Sequence, residues 1–312
     1  MTVLSVQARP RLRQRWKRNW ATYKTVYLML VPILAYYLLF HYVPMLGSVI
    51  AFQNFKPALG ITGSKWVGLR HFRSFFESPY AWRVIRNTLT INGLQILFSF
   101  PAPIVFALLL NEVRCKGYKR AVQTVSYMPH FISLVVICGM LSDFTMSDGI
   151  ISDLLALFGV ERSNLLNRPE LFQGIYVGSG IWQSVGWGSI IYLATLANVD
   201  PALHEAAAID GAGRLRRMLH VALPALAPII IIQLIMRIGN ILSQGYEKII
   251  LLYRPLTYET ADVISSYVYR RGLQNGDYSF GTAVSMFNSL VNLIILVSAN
   301  GLSRKVSETS LW

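Results

Sequence analysis

Six blocks of apolar residues, each near 20 residues long, dominate this chain of 312 residues. A helix needs about 20 apolar residues to cross the hydrocarbon core of a bilayer. The blocks lie at about 26–51, 88–110, 122–141, 174–197, 223–242 and 282–302. Their apolar residues run continuously rather than in alternation, so the expected fold is all-α and polytopic, with about six transmembrane helices. A basic N-terminal tail (1–25), a membrane domain (26–302) and a C-terminal tail (303–312) follow from that division. The first block is too long for the apolar core of a signal peptide and no small-residue cleavage pattern follows it, so it reads as an uncleaved span.

Only 14% of the residues are charged, against about a quarter in soluble domains. The net charge of +14 has its ordinary explanation in the Lys and Arg that collect in cytoplasmic loops. Nucleic-acid binding is excluded, because the aromatic residues sit in apolar runs and not among a soluble basic patch. The positives concentrate before span one (Arg9, Arg11, Arg13, Arg15, Lys17, Arg18), between spans two and three (Arg114, Lys116, Lys119, Arg120), between spans four and five (Arg214, Arg216, Arg217) and after span six (Arg304, Lys305). Six spans put these four regions on one side, and the bias places both termini in the cytoplasm. The stretch from Ser64 to Asn87 interleaves aromatic and basic residues, and fits an interfacial amphipathic helix as well as an aromatic belt. Cys115 and Cys138 lack metal-ligand spacing and are read as reduced thiols.

The chain carries no phosphate-cradling G-x-x-x-x-G-K-[ST], no H-E-x-x-H, no G-x-S-x-G and no dinucleotide fingerprint. Its five His are scattered. A catalytic site is therefore not expected, and a membrane enzyme is a distant reading. Inside the spans Arg237 stands out, since an intramembrane Arg marks a pathway or a partner. The carboxylates that a proton-coupled carrier needs at depth are missing from the blocks, and Asp143 reads as interfacial.

One polar stretch has a sharper pattern. Residues 204–224 read HEAAAIDGAGRLRRMLHVALP. Asp200 is a good helix N-cap and Pro201 suits the first helical position. PALHEAAAID then consists of strong helix formers, Gly211 and Gly213 break the helix, and a second piece leads to Pro224. Ala206, Ala207 and Ala208 supply little bulk, so another surface can approach the backbone; Glu205 and Asp210 supply charge for a partner's basic groups. An ordinary reverse loop needs neither this length nor this placement of glycines.

Glu205-Ala206-Ala207, Gly211 six residues after the Glu, and Val221-x-Leu223-Pro224 resemble the EAA loop of importer-type ABC permeases, with Val in place of the usual Ile. The resemblance extends along nearly the whole chain. YMPHFIS at 127–133, GYEKIILLYRP at 245–255 and the following ADVISSYVYRRGL are similar to the sugar-uptake branch, most of all the LplB-type permeases for complex oligo- or polysaccharides. The resemblance implies a type I ABC importer permease fold in a bacterial cytoplasmic membrane. It implies four further chains: a second permease, two ATP-binding subunits that carry ATP and Mg, and an extracytoplasmic solute-binding protein. No cofactor is expected in this chain. Glu205, Ala206, Ala207, Asp210 and Gly211 are implied to form a coupling helix (about 201–221) seated in the ATPase. A stand-alone carrier or channel has no use for such a knob.

A sugar needs hydrogen-bonding groups and an aromatic face. Gln183, Trp187, Tyr192, Arg237, Asn240, Gln244 and Asn288 are the expected pathway residues, with Trp182 and Asn292 as further candidates. Asn240 and Gln244 are four apart and share a helical face, with Arg237 three before Asn240. Interhelical hydrogen bonding is the competing role for each. Arg237, Lys248, Arg254, Arg270 and Arg271 suit carboxylate-bearing sugars such as alginate or pectin fragments.

Overall fold

A computed structural model describes residues 12–243, 245–307, 310 and 311. Four of its helical stretches are long and apolar enough to cross a membrane: Thr22–Phe52, Ala81–Asn111, Arg214–Ile238 and Tyr278–Lys305. The first takes in α1 (Leu12–Tyr37) from Thr22 onward and runs on through a π turn to a 3-10 segment, Leu46–Phe52. Its apolar side chains, such as Leu28 and Phe40, are exposed along its length. Only its final turns pack on the body, so its apolar surface needs cover from lipid or another chain.

Two strands of two residues each, β1 (Gln53–Asn54) and β2 (Lys65–Trp66), pair antiparallel, in register Gln53 to Trp66. The pair leads into α2 (Arg70–Phe76). Phe75 of α2 is buried against Phe280 and Phe287. This anchors the aromatic-rich outer stretch to the bundle, while Trp66, Phe76 and Trp82 remain exposed.

The second span is α3 (Ala81–Leu94), a π turn (Gln95–Ser99) and α4 (Pro101–Asn111). Proline cannot donate the helical hydrogen bond and clashes with the carbonyl one turn back. Just before Pro101 the ladder widens, and the Phe100 N–H reaches the Gln95 carbonyl at 2.8 Å.

The third expected span is not one continuous helix. It divides into α5 (Lys116–Tyr127) with a 3-10 turn, Met128–Phe131, and α6 (Leu134–Phe144), the two halves bent by 99°. Pro129 sits in that turn and Ser133 restarts the helix, its Oγ accepting from the Val136 N–H at 3.3 Å. A proline plus an N-capping serine outweighed the apolar composition of residues 122–141. A short helix, α7 (Ile150–Ala156), follows.

α8 (Pro169–Ala197) has 29 residues, long enough to cross, but is not among the helices apolar enough by composition. Glycines, serines and two glutamines dilute it, and one face of it is buried in the bundle through Phe172, Tyr176, Ser179, Gly186, Ser189 and Tyr192. Then come α9 (Pro201–Ile209), α10 (Arg214–Arg217) and α11 (Leu223–Ile238). The helix does not stop at Pro224, because a π turn at Met218–Ala222 absorbs the lost hydrogen bond. It ends at Ile238, short of the expected 242, in turns through Leu242. α12 (Tyr246–Leu252), α13 (Ile264–Val268) and the 30-residue α14 (Tyr278–Ser307) complete the chain.

Three apolar clusters hold the body. One packs Phe172 and Tyr176 of α8 against Ile249 and Leu252 of α12. A second packs Phe75 and Val84 against Phe280 and Val284. The third packs Ile104 and Leu108 against Tyr192, Leu196 and Leu226. At 25 cal/mol per Å2 of apolar area, such burial is the main favourable term where water is the alternative. In lipid, close packing and hydrogen bonds carry more of it.

Candidate functional site

The EAA stretch stands clear of the bundle. Asp200 caps α9, its Oδ1 accepting from the Ala202 N–H at 2.9 Å. At the other end the Ala212 N–H reaches the Ala207 carbonyl at 2.9 Å, closing a Schellman-type turn. That turn needs a left-handed residue, and Gly211 supplies it with φ +76°. Glu205, Ala206, Ala208 and Asp210 are exposed and Ala207 is half-buried. Ile209 is 86% exposed beside them. The result is a small knob with an alanine face, one large apolar side chain and two carboxylates, held at one end by the Asp200 side chain and at the other by its own backbone.

A cavity of about 840 Å3 opens between the second span, α8 and α11. Ser99, Phe100 and Pro103 form one wall; Ser184, Trp187, Gly188 and Tyr192 form another; Gln233, Met236, Arg237 and Asn240 form the third. Four expected pathway residues, Trp187, Tyr192, Arg237 and Asn240, therefore share one cavity. Trp187 is stacked on His130, with centroids 4.6 Å apart and planes 4° apart, and Phe131 meets it edge-on at 5.4 Å. The bend of the third span thus presses its aromatic pair onto the cavity wall. Two glycines of α8 allow this closeness: Gly186 lies against the Ser126 backbone, and Gly188 against the Pro103 ring.

The remaining expectations are placed elsewhere. Gln183 is half-buried and does not line the cavity, and Trp182 is exposed away from it. Gln244 lies outside the described residues. Asn288 and Asn292 tie α14 to the broken end of α11. The Asn288 amide donates to the Leu242 carbonyl at 3.0 Å, and Asn292 accepts from the Leu242 N–H at 3.1 Å while donating to Ser243 Oγ at 2.7 Å. Residues 239–242 leave backbone groups that a helix would have satisfied, and these amides meet them.

Of the five cations singled out for acidic sugars, Arg237 alone lines the cavity. Lys248 is buried over the Tyr176 ring and donates to the Tyr176 carbonyl at 3.0 Å. Arg254 donates to Ser142 Oγ. Arg271 pairs with Asp277 at 3.5 Å and lies 3.6 Å from the Phe280 ring centroid. Arg270 grips Asp262 in a bidentate pair, at 2.9 and 2.6 Å. Burial opposes the Arg270 charge, but hydrogen bonds to Asp262 and Tyr253 outweigh it and raise its pKa. Sequence patterning missed Asp262, which is fully buried and also meets Arg83 at 3.4 Å and Ser266 Oγ at 2.7 Å. It missed Gln95 too, which accepts a hydrogen bond from Arg237. A glutamine in an apolar span was the available signal. Among the described residues no group of three His, Cys, Asp or Glu is placed to hold a metal.

Comparison with known proteins agrees with this architecture. Residues 99–308 match the family model described as binding-protein-dependent transport system inner membrane component. The chain is similar to the polygalacturonan/rhamnogalacturonan transport system permease protein YteP of Bacillus subtilis, at 45% identity over 93% of this chain and 90% of that one. It is also similar to protein LplB of Bacillus subtilis, at 43% identity over 93% and 91%. Among solved structures it resembles a chain of a bacterial ABC transporter involved in import of the acidic polysaccharide alginate, with TM-score 0.86, 44% identity and coverage of 96% and 100%. A chain of the bacterial alginate ABC transporter in complex with a periplasmic protein bound to an alginate pentasaccharide gives TM-score 0.87 at 43% identity. This chain belongs to the binding-protein-dependent transport system inner membrane components, the non-catalytic permease subunits of ABC transporters.

Proposed function

We propose that this chain is one of two permease subunits of an importer for acidic oligosaccharides. The observation that carries the substrate class is Arg237: it stands on the cavity wall with no acidic residue among the lining residues and with Trp187 among them. A uronate presents a carboxylate to a guanidinium and a flat C–H face to an indole ring. The names of the similar proteins, which handle polygalacturonan, rhamnogalacturonan and alginate, support the same class.

The permease sits in the cytoplasmic membrane with both termini inside. A second permease completes the pathway, an extracytoplasmic binding protein delivers the sugar, and two ATPase subunits beneath bind ATP and Mg. Closure of the ATPase dimer draws the two coupling knobs together. Because the knob is rigid, held by Asp200 at one end and the Gly211 turn at the other, the movement passes to α8 and α11 and turns the cavity outward. Glu205, Ala206, Ala207, Asp210 and Gly211 are the coupling residues. Trp187, Tyr192, Arg237 and Asn240 are the pathway residues that the cavity gathers.

Uptake in proteoliposomes with the partner subunits tests both halves. Glu205→Lys with Gly211→Pro abolishes substrate-stimulated ATP hydrolysis while the complex still assembles. Arg237→Met raises the KM for uronate oligomers about thirtyfold, the scale of a lost charged hydrogen bond of about 2 kcal/mol. Uptake that persists without any ATPase defeats the importer reading and favours a stand-alone carrier. Neutral oligosaccharides that enter without competition from uronates defeat the acidic one.

A further inference from the structure

The cations of this chain are held in two different ways. Arg270 and Arg271 are fixed by carboxylates, Asp262 and Asp277. Arg237 is fixed by the neutral amide of Gln95, its one hydrogen-bond partner among the described residues. Gln95 comes from the second span, 142 residues away in sequence, and is not itself among the lining residues. It opens the π turn whose last residue, Ser99, lines the same cavity. Single π turns in helices are frequent at functional sites.

The choice of a neutral partner has a consequence. A guanidinium on a cavity wall has many rotamers, and a ligand that captures it must order it. An acid at position 95 orders it too but cancels its charge, so an incoming carboxylate has to displace an internal ion pair. An apolar residue at 95 leaves the charge intact but unaimed. A glutamine carbonyl does both jobs: it takes one of the five guanidinium N–H donors and leaves the rest, with the full charge, for a ligand.

We infer that Gln95 is a positioning residue that aims the Arg237 guanidinium into the cavity without neutralising it, and so sets the preference for carboxylate-bearing over neutral sugars. This rests on the acidic-oligosaccharide reading above. It adds a selectivity element on the second span, away from the helix that carries the charge.

The test compares Gln95→Glu, Gln95→Leu and Arg237→Met in the full transporter reconstituted with its binding protein and ATPase subunits. Uptake is measured for a uronate trisaccharide and for a neutral hexose trisaccharide of the same linkage, with KM and Vmax resolved separately. Gln95→Glu is expected to lower the selectivity, as a ratio of KM values, by about tenfold, approaching the roughly thirtyfold of Arg237→Met, because the pair cancels the charge. Gln95→Leu is expected to raise the uronate KM by about threefold, since aim is lost and charge is kept. A Gln95→Glu transporter with undiminished selectivity overturns the inference. So does an equal effect of Glu and Leu at 95, which assigns the position to packing. If Arg237→Met itself leaves selectivity unchanged, the acidic-oligosaccharide reading fails and the inference falls with it.

Discussion

Gly186 of α8 packs directly on the backbone of Ser126 in α5, and a Cβ at position 186 would overlap the Ser126 carbonyl. The two nearest atoms are main chain and cannot rotate aside. This contact seats the bent third span against α8 one residue from Trp187, the cavity's aromatic wall. Gly186→Val is expected to cost about 2 kcal/mol or more, the range for overpacking a tight site. Thermal unfolding of the detergent-solubilised transporter reads it. Gly174→Ala on the same helix, where a Cβ meets nothing within 4 Å, is the control and leaves the melting temperature in place.

Asp262 is buried between Arg270 and Arg83. Removing it leaves two guanidinium groups facing an apolar core. Asp262→Ala is expected to destabilise by about 3 kcal/mol, the scale for breaking a buried pair. Arg83→Met is expected to cost under about 1 kcal/mol, because Arg83 is partly exposed and its 3.4 Å contact is long. Melting temperatures of the two variants check the ordering; a larger loss for Arg83→Met contradicts it.

Asn292 satisfies both the Leu242 N–H and the Ser243 hydroxyl where α11 breaks. Asn292→Leu keeps the size and removes both bonds, at a cost of about 1–3 kcal/mol for an orphaned buried group. Because Asn292 does not line the cavity, the KM ratio of uronate to neutral sugars should stay within about twofold of wild type. A selectivity change places Asn292 on the pathway instead.

Trp187 lines the cavity and has its indole stacked on the His130 ring. Trp187→Ala is expected to raise the substrate KM about tenfold, and Trp187→Phe about threefold, as aromatic contact area shrinks. His130→Ala removes the backing ring and is expected to raise KM by less than Trp187→Ala, since stacked aromatic pairs contribute about 1 kcal/mol. Initial-rate uptake at varied sugar concentration separates these values.

The knob was legible because its signals are local: Asp200-Pro201 at the start, helix-forming alanines, and a glycine where the chain must turn left-handed. Local geometry needs only near neighbours in sequence, and the structure reproduces those elements at the expected positions. The spans were legible for a similar reason, since hydrophobic length is a property of a segment by itself. The exceptions are instructive. The third span is broken by Pro129 and Ser133, local signals that the apolar composition masked. α8 is diluted by glycines, serines and glutamines, and one face of it packs into the bundle through Phe172, Tyr176, Ser179, Ser189 and Tyr192.

Which polar residues meet was a different kind of question. Arg237, Lys248, Arg254, Arg270 and Arg271 look alike in the sequence, each a cation near apolar residues. Tertiary structure gave Asp262 to Arg270, Asp277 to Arg271, the Tyr176 ring to Lys248, and left Arg237 on the cavity wall beside Gln95. Asn240 and Asn288 are likewise indistinguishable by composition, yet one faces the cavity and the other mends a helix break. By itself the sequence determined most of the long helices and the left-handed turn at Gly211, because propensity, capping and apolar length act over a few residues. Only the tertiary structure decided which charge stays uncancelled, because a partner 142 residues away has no local signature and is set by how the helices pack.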